Sequence, residues 1–120
     1  MNLQASQNEQ VLSNTVNQRF LIVDVNFSLS HPSKFTVWVY NSGPETSYIS
    51  ELTVYNSTWS YSTTDLGTVR QASCETCVAV QSETLASLNL NAGTAFQVGA
   101  VYTFEAVGEY GYTYTYQVVR

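Results

Sequence analysis

Apolar and polar residues alternate with a period of two along most of the chain between Arg19 and Arg120. The first such run has five apolar residues at odd positions, Leu21, Val23, Val25, Phe27 and Leu29. Side chains of a β-strand point to opposite faces in turn, so this pattern predicts strands with one buried and one solvated face. Clusters of Gly, Pro, Asn and Ser interrupt the alternation. We therefore predict an all-β fold, an Ig-like antiparallel β-sandwich with Greek-key connections and about eight strands.

The alternation and its interruptions also predict where the strands lie. The predicted strands are Arg19–Ser30, Lys34–Tyr40, Tyr48–Tyr55, Trp59–Ser62, Val78–Ser82, Thr84–Leu90, Thr94–Val107 and Tyr112–Val119. The last two are expected to form a hairpin. Its core face is expected to consist of alternate residues: Phe96, Val98, Ala100, Tyr102, Phe104 and Ala106 on one strand, and Tyr112, Tyr114, Tyr116 and Val118 on the other. A long connection is expected from Asp65 to Cys74.

The domain organisation follows from a change in composition near residue 19. Residues 1–18 are rich in Asn, Gln and Ser, and we interpret them as a polar leader. Residues 19–120 are predicted to form the β-sandwich domain. No apolar run in the sequence approaches the roughly 20 residues that a membrane helix needs. If the protein acts outside the membrane, we expect a membrane helix to precede the leader.

The charge balance argues against nucleic-acid binding. The net charge is -5, and the basic residues number only four, Arg19, Lys34, Arg70 and Arg120. They form no cluster that would neutralise a phosphate backbone. The single histidine, His31, precedes a proline in a predicted turn. We therefore expect no cofactor, no metal site and no catalytic residues.

Cys74 and Cys77 form a CxxC motif. In redox enzymes such a motif begins a helix, which lowers the thiol pKa, whereas here a β-branched segment follows. A zinc site would need two further ligands. A structural disulfide between Cys74 and Cys77 is the favoured interpretation, and unpaired thiols or a redox role are the alternatives.

Two glycosylation sequons are present, Asn26-Phe27-Ser28 and Asn56-Ser57-Thr58. Asn56 falls in a predicted turn, where a glycan has room, and Asn26 falls on the solvent side of a predicted strand. Both are candidate modification sites if the protein is exported.

Four aromatic residues do not fit the inward-facing set. Phe35, Val37 and Val39 take one face of their strand, so Trp38 and Tyr40 take the other. Trp59 and Tyr61 likewise share one face of the short predicted strand Trp59–Ser62. A strand that is apolar on both faces is either covered on both or exposes a contact surface. Both interpretations stay open, and the four residues are candidates for a protein interface.

Several segments resemble the extracellular domains of archaeal type IV pilin-like proteins. The resemblance lies in Phe35–Gly43, Ile49–Asn56, Leu88–Gly93 and the strand pair around Gly108–Gly111. That family includes archaellins, adhesive pilins and the archaellum stator or anchor proteins FlaF and FlaG, and a compact single domain is most similar to the last two.

The resemblance implies a non-enzymatic, extracytoplasmic β-sandwich that anchors the archaellum motor to the surface layer. Its implied partners are a second copy or a homologous sandwich and a surface-layer protein, and its implied membrane contact is a preceding N-terminal helix. A pilin or adhesin subunit is the first alternative. A small secreted redox protein using Cys74 and Cys77 is the second.

Overall fold

The computed structural model describes residues 19–71, 74–109 and 111–120, and within these residues it contains nine β-strands and no helix. The strands are β1 (Phe20–Phe27), β2 (Lys34–Asn41), β3 (Ser47–Tyr55), β4 (Ser60–Thr63), β5 (Val69–Gln71), β6 (Cys74–Val80), β7 (Leu85–Asn91), β8 (Val101–Gly108) and β9 (Thr113–Val119). The predicted leader, residues 1–18, lies outside the described residues.

The strands form two sheets in which every described pairing is antiparallel. The three-stranded sheet has the order β1-β2-β7. The six-stranded sheet has the order β5-β6-β3-β8-β9, with β4 also paired to β3. The chain leaves the three-stranded sheet after β2, returns to it for β7, and leaves it again for β8. The predicted all-β sandwich and its closing β8-β9 hairpin are confirmed, with nine strands rather than about eight.

The core lies between the two sheets and is built from alternate residues of the central strands. Its buried members include Phe35, Val37, Val39, Leu52, Val54, Leu88, Tyr102, Phe104 and Ala106. The β9 residues Tyr114, Tyr116 and Val118 pack against them, as the alternation predicts. Burial of these side chains is the main favourable term for folding, at about 25 cal/mol per Å² of apolar surface.

A β-bulge in β1 changes the predicted inner face. Ile22 pairs with Val39 but Asp24 pairs with Trp38, so Val23 is an extra residue on this strand. The side-chain alternation therefore shifts by one, and Ile22 faces the core before the bulge while Val25 does so after it. The prediction that Val23 faces the core is wrong, since this side chain is 42% exposed.

The predicted strand Thr94–Val107 is shorter in the structure, because β8 begins only at Val101. Before it, the chain turns at Gly99, whose φ of 86° lies in the left-handed region. Phe96 is nevertheless buried, and its N–H donates to the carbonyl of Pro32 at 2.9 Å. Val98 is 81% exposed, so its predicted core position is wrong.

Candidate interaction surface

The two faces of β2 carry different chemistry. Phe35, Val37 and Val39 are at most 2% exposed and point into the core. Trp38 and Tyr40 are half-buried and lie on the opposite face, which is the outer face of the three-stranded sheet. Neither Trp38 nor Tyr40 belongs to the core cluster. Their burial therefore comes from neighbours on the outer face.

Neighbouring strands extend this aromatic pair into an apolar patch. Tyr40 lies opposite Leu21 of β1 and Leu85 of β7, and Leu85 is 54% exposed. Val23, the extra residue of the bulge, is exposed beside them. We call these five residues, Leu21, Val23, Trp38, Tyr40 and Leu85, the outer patch. The alternation in the sequence indicates its two rings but not its three aliphatic members, because these depend on strand register and on the bulge.

The other end of the same face is polar. Asn26 and Asn89 lie opposite Thr36, whose hydroxyl donates to the Asn89 Oδ1 at 2.7 Å. These residues border an open depression of about 420 Å³ that also touches Lys34. Asn26, one of the two candidate glycosylation sites, is exposed there. The outer face is therefore divided into an apolar half and an amide-rich half.

Trp59 and Tyr61 lie elsewhere and pack against the core. The Trp59 ring meets Phe96 edge-on at 5.7 Å between centroids, and Tyr102 at 6.0 Å. Tyr61 lies opposite Val54, which is fully buried. Of the two interpretations that the sequence left open, the core one describes Trp59 and Tyr61. The interface prediction is carried forward for Trp38 and Tyr40.

The outer face of the six-stranded sheet is mainly polar. The Ser62 hydroxyl contacts the Thr53 hydroxyl at 2.9 Å and donates to Glu51 Oε2 at 3.0 Å. The two tyrosines on this side of β3, Tyr48 and Tyr55, stand at opposite ends of the strand. They do not form a pair like that of Trp38 and Tyr40.

The CxxC motif lies on a strand rather than before one. Cys74 is the first residue of β6 and Cys77 is the fourth. Their sulfur atoms are in contact, and their Cα atoms are 5.9 Å apart, within the usual range for a disulfide. Residues three apart on a regular strand would be separated by roughly 10 Å. A register shift in the pairing with β5, a strand the sequence did not predict, accommodates this compression. The disulfide stays a prediction, and this geometry supports it.

The segment before β5 is held against the same motif. The N–H groups of Leu66 and Gly67 both donate to the carbonyl of Thr76, at 3.1 and 3.0 Å. A Cβ atom at Gly67 would lie 2.5 Å from the carbonyl oxygen of Cys77, so only glycine fits here without a shift. Cys77 itself is fully buried.

His31 and Asn56 both make local turn contacts. The His31 Nδ1 lies 3.0 Å from the Ser30 hydroxyl, in an exposed turn. The Asn56 Oδ1 accepts from the N–H of Thr58 at 3.0 Å in the connection between β3 and β4. Within residues 19–71, 74–109 and 111–120, no three His, Cys, Asp or Glu side chains are grouped as metal ligands would be. That same part of the chain contains no helix long and apolar enough to cross a bilayer.

Comparison with known proteins finds likeness in structure and not in sequence. No family model and no curated protein matches the chain. The fold is similar to the archaellum periplasmic stator protein complex FlaF and FlaG from Sulfolobus acidocaldarius, with a TM-score of 0.63, 14% identity, and coverage of 82% of this chain and 87% of that one. It is also similar to the stator protein FlaG from the same organism, with a TM-score of 0.59, 13% identity, and coverage of 83% and 98%.

A third similar structure is the archaeal flagellum of Methanospirillum hungatei strain JF1. Its TM-score is 0.65 at 12% identity, and the match covers 97% of this chain and 74% of that one. These three structures share one β-sandwich fold with this chain. The fold that the resemblance implied is therefore confirmed.

Proposed function

We propose that this protein is a non-enzymatic interaction module of an archaellum assembly, acting outside the cytoplasmic membrane. The outer patch is its contact surface, and its partner is a β-sandwich of the same fold. One observation carries the proposal: two half-buried rings, Trp38 and Tyr40, stand side by side on an outer sheet face in a fold like that of the FlaF and FlaG stator complex.

The energetics of the outer patch suit a protein contact. Burying one large apolar side chain contributes roughly 1.5 to 3 kcal/mol. Aromatic residues are the usual anchors of interfaces because they bring a large area with little side-chain entropy to lose. Asp24 lies opposite Trp38 and is an acidic neighbour of the patch. A partner with a matching apolar surface and a basic group at its rim would fit this arrangement.

The proposal also covers how the domain is anchored at the cell surface. We propose that a membrane helix preceding residue 1 holds the domain outside the cell membrane, and that a surface-layer protein is a further partner. The low fraction of charged residues, only 11% of the chain, supports a role in contact with other proteins. Few charges leave little electrostatic repulsion between neighbouring protein surfaces.

The test replaces the chain in its native host by the variant Trp38→Lys. Lysine removes the ring, and its charge is tolerated because it lies opposite Asp24. The matched control is Gln117→Lys, which adds the same charge on the exposed outer side of β9. We expect filaments to assemble in both strains but swimming to be lost with Trp38→Lys alone. Normal swimming of the Trp38→Lys strain would contradict the proposal.

A second candidate function is a filament subunit. It is favoured by the likeness to the Methanospirillum flagellum, which covers 97% of this chain. The same strains separate the two functions, because loss of a subunit contact removes the filament itself. Cells without filaments, as seen by electron microscopy, would support the subunit in place of the stator module.

A further inference from the structure

We infer that β7 is an association edge, which pairs antiparallel with β7 of a second copy to give a twofold dimer with one continuous sheet. This inference deepens the proposed function, because it names a second copy as one of the sandwich partners. It concerns the backbone groups of an edge strand, whereas the outer patch is defined by side chains. Leu85 belongs to both, and variants at Ser87 and at Trp38 test the two separately.

Strand β7 is an open edge of the three-stranded sheet. It is the last strand in the order β1-β2-β7 and is paired on one side only, with β2. The pairing runs without a register shift from Leu85 to Asn91. Edge strands in soluble proteins are usually guarded by a charge, a proline or a bulge. The seven residues of β7, Leu-Ala-Ser-Leu-Asn-Leu-Asn, have none of these.

The other edges among the described strands are protected or short. On the same sheet, β1 has the bulge at Val23 and a charge at Asp24. On the six-stranded sheet, β4 has four residues and β5 has three. The remaining edge, β9, packs against β1 across the sandwich, where Tyr112 meets Phe20 edge-on at 4.9 Å. Among the described strands, β7 is the one long edge that is not guarded in these ways.

Alternate residues of β7 direct their backbone N–H and C=O groups away from β2. The carbonyl of Thr84 accepts from Asn41, and the N–H of Ala92 donates to Ser33, so even-numbered residues of this segment bond toward β2. Alternate residues of an antiparallel strand bond to opposite sides. The N–H and C=O groups of residues 85, 87, 89 and 91 therefore point away from the sheet.

Strand β7 is complementary to a second copy of itself. A twofold axis at Leu88 pairs residue 85 with residue 91 of the copy and residue 87 with residue 89, which engages all four outward residues in about eight hydrogen bonds. On the inner face Leu88 meets Leu88, and Ala86 meets Leu90. All three are buried or half-buried and pack on the core. The apolar layer of one sheet thus continues into the other.

Charges at the ends of the strand fit the same register. Glu83 and Lys34 are exposed at opposite ends of β7, and Lys34 lies opposite Asn91. The twofold axis places Glu83 of one copy and Lys34 of the other at the same end of the joined sheet, two strand spacings apart and offset by two residues along the strands, a distance of roughly 12 Å. This pair occurs twice by symmetry. Opposite charges at a rim favour one register and orientation over others.

The test is Ser87→Pro in the full chain. The N–H of residue 87 points outward, so proline removes an edge donor without removing a hydrogen bond to β2. The matched control, Ser87→Ala, removes the same hydroxyl and keeps the N–H. We expect the wild type and Ser87→Ala to form dimers in sedimentation between about 1 μM and 1 mM, and Ser87→Pro to stay monomeric at least tenfold higher in concentration.

Four results would overturn the inference or decide it by another route. A wild type that is monomeric up to about 1 mM overturns it, and so does a Ser87→Pro variant that dimerises like the wild type. If circular dichroism shows that Ser87→Pro is unfolded, hydrogen exchange of the wild type is used instead to decide whether β7 is the association edge. If protection of the amides of residues 85, 87, 89 and 91 increases with protein concentration, pairing through β7 is supported. If their protection does not change, the inference is overturned. A dimer lost in Trp38→Lys but kept in Ser87→Pro assigns self-association to the outer patch instead.

Discussion

The two sheets of the sandwich present opposite chemistry to solvent. On the three-stranded sheet, the residues at the centre of the outer face are Trp38 and Tyr40, with aliphatic side chains on both neighbouring strands. On the six-stranded sheet, hydroxyl and carboxylate groups such as those of Ser62 and Glu51 are bonded to each other across strands. The exposed aliphatic pair there, Val101 and Val119, lies at one end.

This difference teaches that exposure of an aromatic residue has to be judged by sheet face and not by residue type. Trp38 and Trp59 are both half-buried. Trp59 is in edge contact with two core rings, whereas Trp38 is outside the core cluster. An exposed apolar cluster is costly to keep on a monomer unless another molecule covers it. The three-stranded sheet is therefore the face that we assign to association.

The largest expected effect comes from comparing the two tryptophans. Trp59→Ala should lower the free energy of unfolding by about 3 kcal/mol, since it removes ring contacts and leaves a cavity. Trp38→Ala should lower it by less than about 1 kcal/mol, because surface truncation leaves no cavity. Urea unfolding of both variants measures the difference. Equal losses would mean that Trp38 is also part of the core.

The second effect concerns the edge of the polar sheet. Reducing the predicted Cys74–Cys77 disulfide should lower the free energy of unfolding by at most about 2 kcal/mol, the chain-entropy value for so short a loop. Hydrogen exchange should become faster in β5 and β6 than in β2 and β7, because the motif lies in β6 and pairs with β5. Two titratable thiols in protein purified without reductant would rule out the disulfide.

A third, smaller effect concerns the two sequons, at Asn26 in β1 and at Asn56 between β3 and β4. We predict that protein from its native host carries glycans at Asn26 and Asn56, since both side chains lie in sequons on or near the surface. Intact mass spectrometry should show that Asn26→Gln and Asn56→Gln each lose one glycan. Stability should change by less than about 0.5 kcal/mol, as for most surface substitutions. Unmodified masses for both sites would contradict this prediction.

Much of the fold follows from the sequence because strand alternation is a local property. The central strands β2, β3 and β8 place Val37, Leu52 and Phe104 in the core as their period of two predicts. Alternation predicts the wrong face where a strand has an extra residue, as β1 has at Val23. A bulge depends on pairing with another strand and not on the local sequence alone. β5 was missed for a related reason, since three residues are too few to establish a period.

The candidate surface was predictable in part. Alternation alone assigned Trp38 and Tyr40 to the face opposite Val37 and Val39. It left Trp59 undecided, because β4 is short and its packing depends on Phe96, which reaches the core from outside a regular strand. Open edges such as β7 depend on strand order, and sequence pattern alone gives no strand order.

The smallest expected effect is a pH dependence at the junction of the two sheets. Burial raises the pKa of Tyr112 above its ordinary value of 10.0, nearby Arg19 lowers it, and Tyr114 raises it. The folded state thus holds the Tyr112 proton more tightly than the unfolded chain does. This contribution to stability is complete below pH 10 and is lost as the pH rises further.

Unfolding of wild type, Tyr112→Phe and Tyr55→Phe in urea between about pH 8 and pH 11.5 tests this expectation. The free energy of unfolding of the wild type should fall above pH 10 more steeply than that of Tyr112→Phe, because phenylalanine cannot ionise. Tyr55→Phe is the matched control, since it removes an exposed hydroxyl on the polar sheet and should follow the wild type. If both variants follow the wild type, the Tyr112 hydroxyl is as well hydrated in the folded state as in the unfolded chain. The contact between the Phe20 and Tyr112 rings would then not exclude water from that side of the sandwich.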